Sequence, residues 1–463
     1  MILGFENKPR GCKTHANRDI LTIMKNSRGS QASTSVHCIG IARPGMSALA
    51  HYFLARGAYV SGTDSDESPA AAFLREKGAA VTVGPYAAKN IPRSAGLIVA
   101  PDYMNSRNPE VAAAEKRSTD FKTASETLAE IARKRRAILV WGGRGKGSAA
   151  ILASLVLQKA GVDPTALLES GVREWDGATC IVGGGQYCVI EAADHGTGFL
   201  KIPSAIVLAT EVPKDFSRHF KSIEAAREVL KKYLAKAASK GFLVLNRDDH
   251  DLSRIGREII KEGGTVHWYG SKSPERPQET ARLVPRAYGR EALAVAILAR
   301  AMDIAPEAVS ETFRKYKGPG LSGEKKKVFG APFFREFAGH PAEIRASLSK
   351  FRSAFPASRI WCVLEPHANL VSEALFPDTV ASFRHADRVV VLDSVRQLGK
   401  RGKAVQAKTS FELTEAIERE GRKPAFAVSY KSQLPDFLQE NVFENDVVVF
   451  LGGDGTVVDG SFL

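Results

Sequence analysis

A chain of 463 residues is too long for one ordinary hydrophobic core and should divide into two or three domains. With 44% apolar and 25% charged residues it has a globular composition, which excludes collagenous and low-complexity classes. No apolar run reaches the roughly 18 residues that a membrane-spanning helix needs, so no membrane insertion of that kind is expected. The formal charge of +14 suits acidic partners such as nucleotides and nucleotide sugars. The aromatic residues are not interleaved with the basic runs, which argues against nucleic acid. Cys12, Cys38, Cys180, Cys188 and Cys362 are odd in number, scattered and free of CxxC spacing. They suggest neither a disulfide framework nor a zinc site, and a reducing cytoplasm fits.

Residues 1–35 are rich in Lys, Arg, Ser and Thr, with Glu6 and Asp19 the only acids. They lack the apolar block of a secretory signal and read as a disordered tail. The first unit, residues 36–135, opens with the strand VHCIGIA and the helix MSALAHYFLARG. The strand AYVSGTD, a helix and strand in AAFLREKGAAVTVG, and the strand AGLIVAPD follow. Strands alternating with helices at short spacing predict a doubly wound parallel sheet. The second unit, 136–317, opens on AILVWGGRGKGS and continues through the strands YCVIEAAD, SAIVLATEVP and GFLVLNRDD to the helix GREALAVAILARAMD. The third, 318–463, carries the strands RIWCVLEP, RVVVLDS, PAFAVSY and DVVVFLGGDG and again predicts a parallel sheet. In open α/β sheets ligands bind beyond the carboxyl ends of such strands.

Four local patterns could carry chemistry. Gly40 to Gly45 nearly matches the dinucleotide glycine pattern, with Asp64 some 20 residues on at a strand end. The amides of Gly45, Met46 and Ser47 could face a pyrophosphate, while a plain structural turn is the competing reading. In GGRGKGS, Gly142, Gly145 and Lys146 form a phosphate-type loop, and Lys146 would meet the β- and γ-phosphates. Gly147 stands where a magnesium-binding hydroxyl usually follows, and Ser148 lies about 100° further round the helix. Glu191, Asp194 and Asp215 lie near strand ends and could hold a metal or merely cap and solvate loops, and His195 is a base or a surface histidine. GGDGT near the chain end resembles a kinase phosphate loop but lacks the following fold and reads as a chance strand-end loop.

Taken in order, HCIGIARPGMSALA, VSGTD, NPEVAAA, GGRGKGS, EAADHGTGFL, LNRDD, FAGHPAEIRASL and LEPHANL resemble the Mur ligases of peptidoglycan synthesis, above all their alanine-adding branch, from Ser35 to Thr456. The resemblance implies three α/β domains. These are a Rossmann-like N-terminal domain for a UDP-sugar, a central P-loop-type ATPase-like domain, and a C-terminal Rossmann-like domain for the amino acid. It also implies ATP and Mg2+ as cofactors and a UDP-N-acetylmuramate-like nucleotide sugar as ligand. The implied chemistry is phosphorylation of a carboxylate followed by attack of an amine on the acyl phosphate. By the same resemblance, Gly40, Gly45, Met46, Ser47 and Asp64 would contact the UDP-sugar. Gly142, Gly145, Lys146 and Ser148 would contact the nucleotide, and Glu191 and Asp215 the metal. Lys146 and His340 would be the catalytic residues.

The match is uneven. Ala42 and Arg43 replace glycines, and Gly147 replaces the magnesium-binding threonine. Ala193 and Gly196 replace aspartates, Phe216 a metal-binding histidine and Glu291 an adenine-binding asparagine. Leu321 and Ser322 replace an arginine pair, and Arg335 and Gly339 an aspartate and a histidine. Removing one preorganised group at a charge-developing site typically costs about 10²–10³ in rate. The expectation is therefore a catalytically impaired homologue that keeps UDP-sugar or phosphate binding and serves as a regulatory or scaffolding partner of cell-wall synthesis enzymes. The alternative is an active ATP-dependent amide-forming ligase whose metal site is rebuilt with Asp194 or Glu336.

Overall fold

The computed structural model describes residues 35–463 apart from 118, 144, 193–195, 214–215, 272–288, 317–325, 339–340, 367–369, 372–374, 394–408 and 453–463. The basic tail, Asp194, His195, Asp215, Leu321, Ser322, Gly339, His340 and most of GGDGT therefore lie outside the described residues.

Three α/β sheets follow one another along the chain. The first has the order β3-β2-β1-β4-β5, built from β1 (Ser35–Ile39), β2 (Tyr59–Asp64), β3 (Ala80–Val83), β4 (Leu97–Ala100) and β5 (Asp120–Thr123). All its pairings are parallel, and β1 sets Val36 against Val60 on one side and against Leu97 on the other. Strand order reverses between β1 and β4, so the crevice of this sheet opens beside Gly40. Helices cover the sheet because local signals start them cleanly. Asn108 caps Pro109–Lys116 through the amides of Glu110 and Val111, and Thr123 and Glu126 form a reciprocal capping box for Ala124–Arg133.

The second sheet has the order β12-β11-β10-β6-β9-β7-β8. Its strands are β6 (Arg136–Trp141), β7 (Thr165–Leu167), β8 (Cys180–Ile181), β9 (Tyr187–Glu191), β10 (Ile206–Ala209), β11 (Phe242–Asn246) and β12 (Val266–Tyr269). β6 lies between β9 and β10, so the glycine loop that follows it sits at this sheet's own switch point. Val36, Leu49 and Phe53 share one apolar cluster with Leu139, Ile190 and Val207. The first two sheets accordingly fall in one compact unit that ends at Gly318.

A second compact unit begins at Pro319 and holds the third sheet, of order β13-β14-β18-β15-β16-β17. Its strands are β13 (Lys326–Val328), β14 (Ala331–Phe337), β15 (Arg359–Leu364), β16 (Arg388–Leu392), β17 (Ala425–Val428) and β18 (Asp446–Gly452). Apolar layers cover both faces: Phe351, Leu364 and Val391 on one, Trp361, Leu438 and Phe450 on the other. The expectation of a wholly parallel sheet needs correction at its edge, because β13 runs antiparallel to β14. The two-residue connection Phe329–Gly330 has φ of 51° and 86°, the left-handed pair that closes a tight hairpin. Phenylalanine is not a residue from which that turn would be read. Among the described residues no helix is long and apolar enough to cross a membrane. Cys38, Cys180, Cys188 and Cys362 are buried and unpaired, and burial raises the Cys38 and Cys188 thiols to about 12.

Candidate functional site

Side chains of the first crevice brace its turn. Gly40 and Gly45 adopt φ of 67° and 77°, as a tight strand-to-helix turn requires. Asp64, 3% exposed, reaches back into that turn, where its Oδ2 accepts the Ala42 N–H at 3.0 Å and its Oδ1 the Ser65 N–H at 2.9 Å. The Arg43 guanidinium lies 3.2 Å from Asp64 Oδ1 and donates to Ser65 Oγ at 2.6 Å. The amides of Met46 and Ser47 were expected to face an anion, but both donate to the Arg43 carbonyl, at 3.0 and 3.1 Å. The cause is the turn itself, which folds the carbonyl beneath the helix start and satisfies those N–H groups internally.

The second crevice holds the glycine loop. Gly142 follows β6 with φ of 133°, and Gly145 takes a left-handed φ of 81° as N-cap of the helix Lys146–Lys159. That helix is apolar nearly all round and buries ten of its residues, Lys146 among them. Lys146 is 4% exposed, and its ammonium donates to Glu169 Oε2 and to the Ala192 carbonyl, both at 2.6 Å. Glu191 Oε1 stands 3.6 Å away, while Glu191 Oε2 accepts the Glu169 N–H at 2.9 Å. Lysine, two carboxylates and one carbonyl thus gather in one cluster, with one positive charge between two negative ones. Gly147 is part of its fit, because a β-carbon there would sit 3.1 Å from Glu191 Oε1.

Two further carboxylates border the loop. Glu211, just beyond β10, accepts the Gly143 N–H on its carbonyl at 3.2 Å, and its side chain folds against Gly143. Glu291, in the first turn of the helix Gly289–Ala301, lies against Gly145. Burial raises the Tyr269 hydroxyl, and Glu291 and Glu211 raise it further.

The comparisons with known proteins agree with this architecture. Residues 35–136 match the Mur ligase family catalytic domain, and residues 326–453 match the Mur ligase glutamate ligase domain. The chain belongs to the Mur ligase family. The UDP-N-acetylmuramate–L-alanine ligase of Salinibacter ruber is 28% identical over 439 residues, covering 90% of this chain and 91% of that protein. The enzyme of the same name from Alkaliphilus metalliredigens is also 28% identical, with 90% and 94% covered. Among solved structures, the UDP-N-acetylmuramate–alanine ligase of Thermotoga maritima superimposes with a TM-score of 0.71 at 19% identity, covering 91% of this chain and 96% of that one. A murein peptide ligase from Psychrobacter arcticus gives 0.65 at 16% identity, with 92% and 96% covered.

In this Mur ligase homologue, Glu191 is the one expected metal ligand among the described residues, and it is turned toward Lys146 and Glu169 rather than toward a second described ligand. Both oxygens of Glu191 are engaged, one by an amide and the other by the ammonium 3.6 Å away, with which a metal would compete. Phe216, 5% exposed, packs among aromatic rings, with centroids 5.6 Å from Trp141, 5.9 Å from Phe199 and 5.0 Å from Phe220. Among the described residues no three His, Cys, Asp or Glu side chains are grouped to hold a metal. Gly142, Gly145, Lys146 and Glu191 are brought together as the sequence suggested, and Ser148 lies one step along the same helix, partly exposed. Gly40, Gly45, Met46, Ser47 and Asp64 assemble separately, at the first sheet. Glu169 was not foreseen. It follows the short strand β7, and its place at a strand end was the available signal.

Proposed function

We propose that this chain is a Mur ligase homologue of peptidoglycan precursor synthesis that does not form amide bonds. It acts in the cytoplasm by binding a UDP-N-acetylmuramate-like nucleotide sugar, as a regulatory or scaffolding partner of cell-wall synthesis enzymes. One observation carries the reading: the Lys146 ammonium is held at 2.6 Å by Glu169 and by the Ala192 carbonyl in a site with 4% exposure. ATP-driven ligation needs that cation, together with Mg2+, to answer the charge on the transferred phosphoryl group. Here the lysine answers the chain's own carboxylates, and Glu191, the described metal-ligand candidate, is one of them.

The domain boundaries at residues 135 and 317, and the roles of Gly40, Gly45, Met46, Ser47 and Asp64 toward a nucleotide sugar, belong to the same proposal. Left-handed glycines at the head of the helix Met46–Ala55 and the part-exposed Arg43 guanidinium beside them support the binding role, the cation rather than the Met46 and Ser47 amides meeting the phosphates. The purified protein should be incubated with UDP-N-acetylmuramate, L-alanine, ATP and magnesium. Amide product and phosphate release should stay at background, while calorimetry registers binding of the nucleotide sugar. Turnover at the level of an ordinary ligase, abolished by Lys146→Ala, would overturn the proposal.

A further inference from the structure

The geometry points to Glu211 and Glu291 as an intramolecular plug of the glycine loop, two carboxylates of the chain lying where a nucleoside triphosphate would approach. The inference deepens the reading above and rests on it, because it explains why the loop keeps its shape without serving ligation. A glycine-rich turn at a helix N-terminus attracts anions, since its amides and the helix dipole all present positive charge in one direction. Such a site that takes no external phosphate is stabilised by an internal carboxylate.

The chain supplies two from separate elements. The Glu211 carbonyl already takes the Gly143 N–H, one of the loop's own donors. The Glu211 side chain then folds back so closely that a β-carbon on Gly143 would sit 3.0 Å from its Cγ and 3.2 Å from its Cδ. Glu291 reaches the loop from the helix Gly289–Ala301, and a β-carbon on Gly145 would sit 2.6 Å from its Cγ and overlap its carboxylate. The glycines are thus required twice, for the left-handed φ at Gly145 and for the space that the two glutamates occupy. Burial raises the Tyr269 hydroxyl, and both glutamates then raise it further, in keeping with their converging on one spot beside β12. An incoming triphosphate would have to displace Glu211 and Glu291 and would also meet Glu169 and Glu191, which already flank Lys146. Like charges so placed exclude an anion more strongly than lack of space alone.

The test uses the full chain and a Glu211→Gln/Glu291→Gln variant, in which size is kept and charge removed. Titration calorimetry is run with ATP and inorganic pyrophosphate, magnesium present. The unaltered chain should show no saturation with either anion into the millimolar range. The variant should bind ATP and pyrophosphate at least about tenfold more tightly. A folded variant that gains nothing overturns the plug. So does an unaltered chain that already binds ATP as tightly as the variant, and so does a gain for ATP without one for pyrophosphate, which would place the effect at the base and not at the phosphate loop. If the double variant does not fold, Glu291→Gln alone should show a smaller gain for both anions, and its absence in a folded protein is equally fatal. Failure here with no ligation leaves the functional proposal standing, whereas ligation by the unaltered chain removes that proposal whatever the variant binds.

Discussion

Replacing Lys146 by methionine removes the ammonium and keeps an unbranched apolar stem in the same channel. In a loop that exists to hold an external phosphate, this change would leave the ligand-free protein no less stable. Here the lysine lies between two carboxylates and is paired most closely with Glu169, and deleting one partner of a buried ion pair typically costs about 3–5 kcal/mol. The Glu169 side chain is 13% exposed and that of Glu191 4%, so water relieves the first carboxylate in part and the second hardly at all. The Ala192 carbonyl also loses its lysine donor. The lower end, about 3 kcal/mol, is the expected loss. At about 2–4 °C per kcal/mol for a large domain, Tm should fall by about 6–12 °C. The assay is thermal unfolding of the full chain without nucleotide, followed by circular dichroism. Adding Glu169→Gln to the same variant should restore part of the loss, because one stranded charge is then removed. A Lys146→Met protein that melts with or above the unaltered chain would refute the reasoning.

Phe216→Ala should destabilise the first compact unit by about 3–4 kcal/mol in urea unfolding, because it opens a cavity among Trp141, Phe199 and Phe220. A loss under about 1 kcal/mol would mean that the ring does not pack as described. Glu126 governs part of the acid limb of the stability curve. Burial raises its carboxyl, but the Thr123 amide and Lys201 outweigh burial and hold it below the usual glutamate value. A depressed acid stabilises the fold above its unfolded pKa, and that contribution is lost as pH falls through the folded value. Glu126→Gln should therefore flatten the decline in Tm on acidification below about pH 4.5, and parallel curves for the two proteins would count against it.

The sheets were legible because their signals are local. An apolar run such as VHCIGIA becomes a strand buried along its length whatever lies elsewhere, and Asn108 or Thr123 starts a helix with atoms from its own turn. The antiparallel edge β13 was missed because its turn is carried by Phe329, a residue type that does not announce a left-handed φ. The strands β5, β7, β8 and β12 were missed because their few residues lack the continuous apolar run that marked β4 and β10, and β14 was missed because Pro332, Arg335 and Glu336 interrupt its apolar residues.

The sequence by itself determined the alternation of strands and helices, the glycines that turn each switch point, and the substitutions that set this chain apart from an ordinary Mur ligase pattern. It named Gly147, Phe216 and Glu291 as places where the family's residues are replaced and Lys146 as one that is kept, because those are identities at positions in an ordered motif. Only the tertiary structure decided what each one does there. Glu169 and Ala192 meet Lys146 from the ends of β7 and β9, Phe216 joins rings from β6 and two turns, and Glu211 and Glu291 converge on glycines from the end of β10 and from the helix after β12. The physical reason is that backbone conformation depends on near neighbours, whereas the partner of a buried charge is set by strand order. The parallel crossovers of the second sheet bring these distant strand ends to one point.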